Sequence, residues 1–138
     1  MIFKATQEID AAIKAQNWNC QIEEHDGTSA VVTGFNLKCG VPVQILFISA
    51  ADNDVAIRVF HLLQAPADRR QAMLEACNKV NLAYRFTHFV LADDNSVTIQ
   101  MDVPVEAKET GAVAVELLVR MLNITDEAYP ILAKALSD

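Results

Sequence analysis

Val41-Pro42-Val43-Gln44-Ile45-Leu46-Phe47-Ile48-Ser49-Ala50-Ala51-Asp52-Asn53-Asp54-Val55-Ala56-Ile57-Arg58-Val59-Phe60 reads as two strands joined by a tight turn. Asp and Asn tolerate left-handed backbone and hydrogen-bond their own turns, so Asp52-Asn53-Asp54 reverses the chain. Val41 to Ile48 is apolar at nearly every residue, which predicts a central strand covered on both faces. Pro42 lacks a donor and is tolerated at the start of such a strand.

Upstream, the apolar period is two. Trp18, Cys20 and Ile22 alternate with Asn19, Gln21 and Glu23, then Asp26-Gly27 supplies hairpin turn residues. Val31, Thr33, Phe35 and Leu37 mark the returning strand, and Cys39-Gly40 makes the next turn. Before all of these, Ile2, Ala5, Ile9, Ala12 and Ile13 recur at helical spacing, with Lys4, Gln7, Glu8, Asp10 and Lys14 on the other side.

Downstream, Pro66 stands where a helix can begin, since its fixed φ and missing N–H are harmless in a first turn. Met73, Ala76, Cys77, Val80 and Tyr84 form the apolar stripe of that helix. A second hairpin follows, Phe89 to Ala92 and Val97 to Met101 about the turn Asp93-Asp94-Asn95. It resembles the first through turn chemistry, while the flanking segments differ. Pro104 closes the last strand, Glu106 and Glu109 suit a helix N-terminus, and a long apolar segment runs from Val113 to Ile124. The order α-β-β-β-β-α-β-β-α, with strands in hairpin runs, predicts an α+β fold: an antiparallel sheet with flanking helices. No linker or low-complexity stretch divides the chain, so 1–138 is read as one domain.

Composition narrows the function. At 138 residues and 52% hydrophobic, the chain can bury roughly two-thirds of its unfolded surface, and global disorder is excluded. The formal charge is −7, with 11 basic residues against 18 acidic. Nucleic-acid affinity comes largely from Lys and Arg neutralising phosphates, so nucleic acid is excluded as a partner, and an anionic membrane is repelled. No apolar run reaches the roughly 20 residues that span a bilayer. Cys20, Cys39 and Cys77 are odd in number and form no C-x-x-C pair; with no signal-peptide pattern at Met1 to Glu8, a reducing cytoplasmic location is expected.

No chemistry-bearing constellation emerges. His25 adjoins a turn, His61 ends a strand and His88 lies within one, and none has another His or a Cys at ligand spacing. Cys77 and Cys20 fall on apolar faces, where cysteine acts as a small hydrophobe. Cys39, in a turn, is the most exposed of the three. The four glycines are too scattered to cradle a phosphate, and the acidic turns lack the central Gly and trailing Glu of a calcium loop. The chain is therefore read as a non-enzyme with no catalytic or metal residues and no cofactor.

Two features remain. Glu116, Arg120, Asn123 and Glu127 line up as one narrow polar stripe on the last helix, surrounded by apolar residues. A helix resting on a sheet needs only one apolar face, so a second side must also be covered. The cover is either the segment Ala128 to Leu136 folding back or a second chain in a twofold contact through Val113, Leu117, Leu118, Met121, Leu122 and Ile124. Asn81, a poor mid-helix residue near the apolar stripe, is expected to bond across to the neighbouring strand. With Tyr84 and His88 it forms the set that could converge on a small ligand between sheet and helices.

Three stretches carry a family resemblance. They are Gly34-Phe35-Asn36-Leu37-Lys38-Cys39-Gly40-Val41-Pro42-Val43, the helix Cys77-Asn78-Lys79-Val80-Asn81 running into Phe86 to Leu91, and Ala128-Tyr129-Pro130-Ile131-Leu132. In these the chain resembles the YbjN family of small bacterial proteins, described as sensory transduction regulators. That family is similar in fold to the type III secretion chaperones, small acidic dimers that hold a client segment extended. The resemblance implies a homodimeric, non-enzymatic module that binds an unidentified protein, chaperone-like or regulatory; it transfers no catalytic residue.

Overall fold

A computed structural model describes residues 1–103 and 109–137; Pro104 and Glu106 lie outside that range. Helix α1 (Lys4–Ala15) leads into four strands, β1 (Cys20–His25), β2 (Thr28–Asn36), β3 (Pro42–Ala51) and β4 (Asp54–Gln64). A short 3₁₀ turn at Ala67–Arg69 then opens α2 (Arg70–Ala83), followed by β5 (His88–Leu91), β6 (Ser96–Asp102) and α3 (Thr110–Lys134). All six strands form one antiparallel sheet in the order β1-β2-β3-β4-β6-β5. The fold is the α+β arrangement that the hairpin runs predict.

Strand alternation decides which side chains meet the helices. Ile22, Val31, Phe47, Ile57 and Met101 stand opposite one another across five strands and face inward. Phe47 and Ile57 are fully buried. The helices cover this face alone. Helix α1 lies over β1, β2 and β3, α2 lies beside β5, and α3 runs between α1 and α2. Met121, Leu122 and Thr125 of α3 meet Val43, Ile45, Val59 and Ile99 of the sheet. Burying each large side chain of this core contributes on the order of 1.5–3 kcal/mol.

The middle position of α3 explains its greasiness. Ala114, Leu118, Met121, Thr125, Ala128 and Leu132 recur at spacings of three and four and are buried. Val113, Val115, Leu117, Leu122 and Ile124 are half-buried on its flanks, packed against the same core. Glu116, Arg120, Asn123 and Glu127 face water. The second cover demanded by the apolar flanks is thus supplied by α1 and α2. The helix does not fold back at Ala128: it continues to Lys134 through Pro130. Gly111 sets the approach to α1, since a Cβ there would stand 2.8 Å from Ala12 Cβ and 2.9 Å from the Glu8 carbonyl oxygen. Asp126 accepts a 2.8 Å hydrogen bond from the Lys38 N–H, fastening α3 to the turn between β2 and β3.

One expectation about β3 is corrected. Its burial alternates, with Val43, Ile45, Phe47 and Ser49 buried while Leu46 and Ile48 are half-buried and Gln44 and Ala50 exposed. The strand is central in the sheet but covered on one side only. Its outward apolar residues pack laterally on neighbouring strands, and no helix lies over them among the described residues.

Candidate functional site

The side of the sheet opposite the helices is the surface that the fold leaves open. Two rows of facing residues cross it. Gln21, Val32, Leu46, Arg58, Gln100 and His88 form one, and Glu23, Ala30, Ile48, Ala56 and Asp102 the other. The centre is apolar and the margins carry charge. Arg58 is held flat: its guanidinium donates to the carbonyl oxygens of Ile57 at 2.9 Å and Met101 at 3.0 Å and to the Asp102 carboxylate at 3.2 Å. Its stem extends the apolar surface while its head closes onto main chain. Two residues beyond Arg58, Phe60 is 50% exposed, and Val90 opposite Thr98 is 37% exposed. The ladder is interrupted between Val59 and Leu63, where His61 takes φ 53°. Bulges of this kind re-aim side chains at functional sheet faces.

At the β1–β3 end this face dips into a groove of about 860 Å³, lined among others by Asn19, Gln21, Val32, Gly34, Pro42 and Gln44. A second depression, of about 500 Å³, lies between α2 and the end of α3, lined by Ala76, Lys79, Pro130, Ile131 and Lys134.

The residues singled out from sequence fall elsewhere. Leu118 and Met121 are buried under α3 against their own chain, and a partner could not reach them in this arrangement. Val113, Leu117, Leu122 and Ile124 are half-buried beside them. Asn81 does bond across to the neighbouring strand: its side chain donates to the Phe89 carbonyl oxygen at 3.0 Å and accepts from the Phe89 N–H at 2.8 Å. Tyr84 is half-buried, and its hydroxyl pKa is raised by burial and by the neighbouring Glu127 carboxylate, to which it hydrogen-bonds. His88 points to the opposite side of the sheet from Phe89, opposite Gln100. Asn81, Tyr84 and His88 therefore do not converge on one cavity.

The remaining reactive side chains are dispersed. His25 lies 3.6 Å from Glu23 and His61 lies 3.4 Å from Asp94, all exposed at the surface. The Asp94 carboxyl sits below its ordinary pKa because the Ser96 hydroxyl and N–H both donate to it. Burial pushes the Cys77 thiol up to about 11. The Cys20 thiol also rises to about 11, through burial first and then its hydrogen bond to the Asp10 carboxylate. Cys39 is exposed in its turn. Among the described residues no three His, Cys, Asp or Glu side chains gather as metal ligands do. No helix among them is long and apolar enough to cross a membrane.

Sequence reasoning missed the open face because Leu46 and Ile48 looked like core. The available signal was Gln44, Arg58 and Gln100, polar residues at the same strand parity as the apolar pair.

A family model matches residues 6–132 of the chain; it is YbjN, described as "putative bacterial sensory transduction regulator". No curated protein matches.

Proposed function

The chain belongs to the YbjN family, and from that membership we propose that it is a non-enzymatic regulatory module that works by holding another protein against the open face of its sheet. One observation carries this reading: half-buried Leu46, Ile48 and Ala56, with Val32 closed in by its neighbours, make an apolar centre over which no helix of the described chain lies. The charged margin of Glu23 and Asp102 resembles the polar rim that surrounds the apolar core of a protein interface. A β-sheet face of this kind offers rigid, alternating side chains and so holds a partner in one register. The three free cysteines support a reducing, cytoplasmic setting.

In-cell photo-crosslinking tests the reading. A photoreactive residue at Leu46 or Ile48 is expected to capture one discrete partner, while the same residue at Asn123, on the wet side of α3, captures none. Capture from Asn123 alone, or from no position, overturns it.

Self-association is the second reading, favoured by exposed apolar residues on the helical side. Leu82 is 81% exposed, Phe86 46% and Val119 39%. The guanidinium of Arg120, next to Val119, lies 5.0 Å from the centre of the Phe86 ring and joins these two into one patch. A homodimer through this patch gives twice the chain mass by light scattering at micromolar concentration and reverts to monomer on Phe86→Glu. A monomer throughout removes it.

A further inference from the structure

Gly34 lies within β2, yet nothing inside the molecule requires a glycine there. Its φ is outside the left-handed region, unlike Gly27 at 76° and Gly40 at 94°. A Cβ added at Gly34 would meet one atom within 4 Å, the Val43 carbonyl oxygen at 3.8 Å, an ordinary contact. Glycine weakens a strand interior and often marks a bulge, a tight bend or close approach by a ligand or another backbone; the β2–β3 register runs unbroken through Gly34, so no bulge accounts for it. The missing side chain opens outward, into the floor of the 860 Å³ groove.

The walls have a definite chemistry. Val32 and Gly34 of β2 form the floor; Asn19 and Gln21 rise on the β1 side, Gln44 on the β3 side, and Asn36 stands at the end. Strands flanking a third are about 10 Å apart, twice the interstrand spacing, which leaves room for one extended chain between the two walls. Each wall carboxamide can both donate and accept, as a peptide group can. None of these four side chains has a hydrogen-bond partner among the described residues, whereas Gln64, Asn81 and Asn95 are all engaged elsewhere. No carboxylate, ammonium, guanidinium or imidazole lines the groove, in a chain of net charge −7.

We propose that the groove over Gly34 binds an extended, uncharged polypeptide segment, its main chain hydrogen-bonded between the carboxamides of Gln21 and Gln44 and a small side chain seated on Gly34. The outward positions Val32, Gly34 and Asn36 recur every two residues, the repeat of an extended chain itself. A peptide laid there must find partners for its N–H and C=O groups, which the walls supply. A glycan fits less well, because the one aromatic residue of the lining, Phe35, pairs inward with Val43 and packs edge-on against Trp18 at 5.3 Å. This assignment rests on the protein-binding reading above and narrows it to one end of the sheet face and one partner chemistry.

Panning a phage-displayed library of random linear peptides against the full chain tests it, with Gly34→Val as counter-selection. The expected winners are uncharged segments rich in Ser, Thr, Gly and Asn. A synthetic copy of a winner should lose affinity by about tenfold or more on Gly34→Val, because the valine occupies its seat. The urea midpoint of that variant should stay level or rise. Gln21→Ala/Gln44→Ala, which changes only exposed side chains, should weaken the same peptide without altering stability. No enrichment, or peptides bound equally by wild type and both variants, overturns the proposal. So does binding of maltoheptaose that is abolished by Gly34→Val. If Leu46 still crosslinks its partner in the Gly34→Val protein, the groove assignment fails and the wider reading stands; if Leu46 never crosslinks, the wider reading itself fails.

Discussion

The side chain of Asn81 occupies the place of a seventh strand at Phe89. Its carboxamide donates to the Phe89 carbonyl oxygen and accepts from the Phe89 N–H, as a neighbouring backbone would. Strand β5 is an edge of the sheet, and such edges pair readily with other chains unless blocked. Helix α2 thus seals the β5 edge with one residue, at the expense of helix propensity at that position. The opposite edge, β1, carries Glu23 and Glu24, whose like charges discourage pairing between copies.

Asn81→Ala leaves both Phe89 groups without a protein partner. Two hydrogen bonds of ordinary worth predict a loss of about 1–3 kcal/mol. Urea unfolding measures the loss, and light scattering should show a rise in association that Asn81→Gln does not fully prevent. An Asn81→Ala protein as stable as wild type would mean that the pairing contributes nothing.

Gly111→Ala tests the crossing of α1 and α3. The added methyl collides with Ala12 Cβ at 2.8 Å and with the main-chain oxygen of Glu8 at 2.9 Å. Overpacking of this kind costs about 1–3 kcal/mol. Adding Ala12→Gly should restore only part of the urea midpoint, because the Glu8 backbone cannot be trimmed. Full restoration would place the conflict at Ala12 alone.

Two buried serines that face each other across β2 and β3 should respond in opposite ways. Ser29 Oγ pairs with Thr6 Oγ1 at 2.7 Å and accepts from the Phe3 N–H at 3.1 Å, whereas Ser49 Oγ is buried with no partner among the described residues. Ser29→Ala is expected to destabilise by about 1–3 kcal/mol, and Ser49→Ala to be neutral or stabilising by up to about 1 kcal/mol. Thermal melts of the two variants, run side by side, decide it.

The thiols make stability fall at alkaline pH. Burial holds Cys20 and Cys77 near 11 in the fold, against an ordinary 9.0, so the folded state disfavours their thiolates. The contribution is fully present below pH 9 and is lost as pH rises towards about 11, because the unfolded chain releases those protons first. Urea midpoints measured from pH 8 to pH 11 should decline, with a shallower slope in Cys77→Ala. In the folded state an alkylating reagent should modify Cys39 ahead of both. Equal rates at the three thiols would contradict the placement of Cys39 in an open turn.

Much of this fold was legible because its signals are local. The turn at Asp52-Asn53-Asp54 and the polar stripe Glu116, Arg120, Asn123 and Glu127 each follow from a short period or a turn residue, and each is where that period puts it. Asn81 was legible too, since an asparagine within a helix advertises a bond made sideways. What stayed hidden depends on which element lies beside which. The greasy flanks of α3 show that something covers them, but only the sheet order and the placement of α1 and α2 show what. Leu46 and Ile48 carry no mark of their own that distinguishes an uncovered sheet face from a second core; only Gln44, Arg58 and Gln100 at the same strand parity do. Pro130 lies inside α3 without ending it, because proline removes one hydrogen bond while Leu132 beyond it is buried.

The contact between Gly111 and α1 joins the first helix of the chain to the last. During synthesis the four-strand meander emerges early, with α1 able to shelter only the β1–β3 part of its inner side. Ile45, Val59 and Ile99 meet Met121 and Thr125 only once α3 is in place, so the middle of the core closes with that helix. A chain stripped of α3 therefore bares that part of the core, and exposed apolar surface of this kind promotes aggregation.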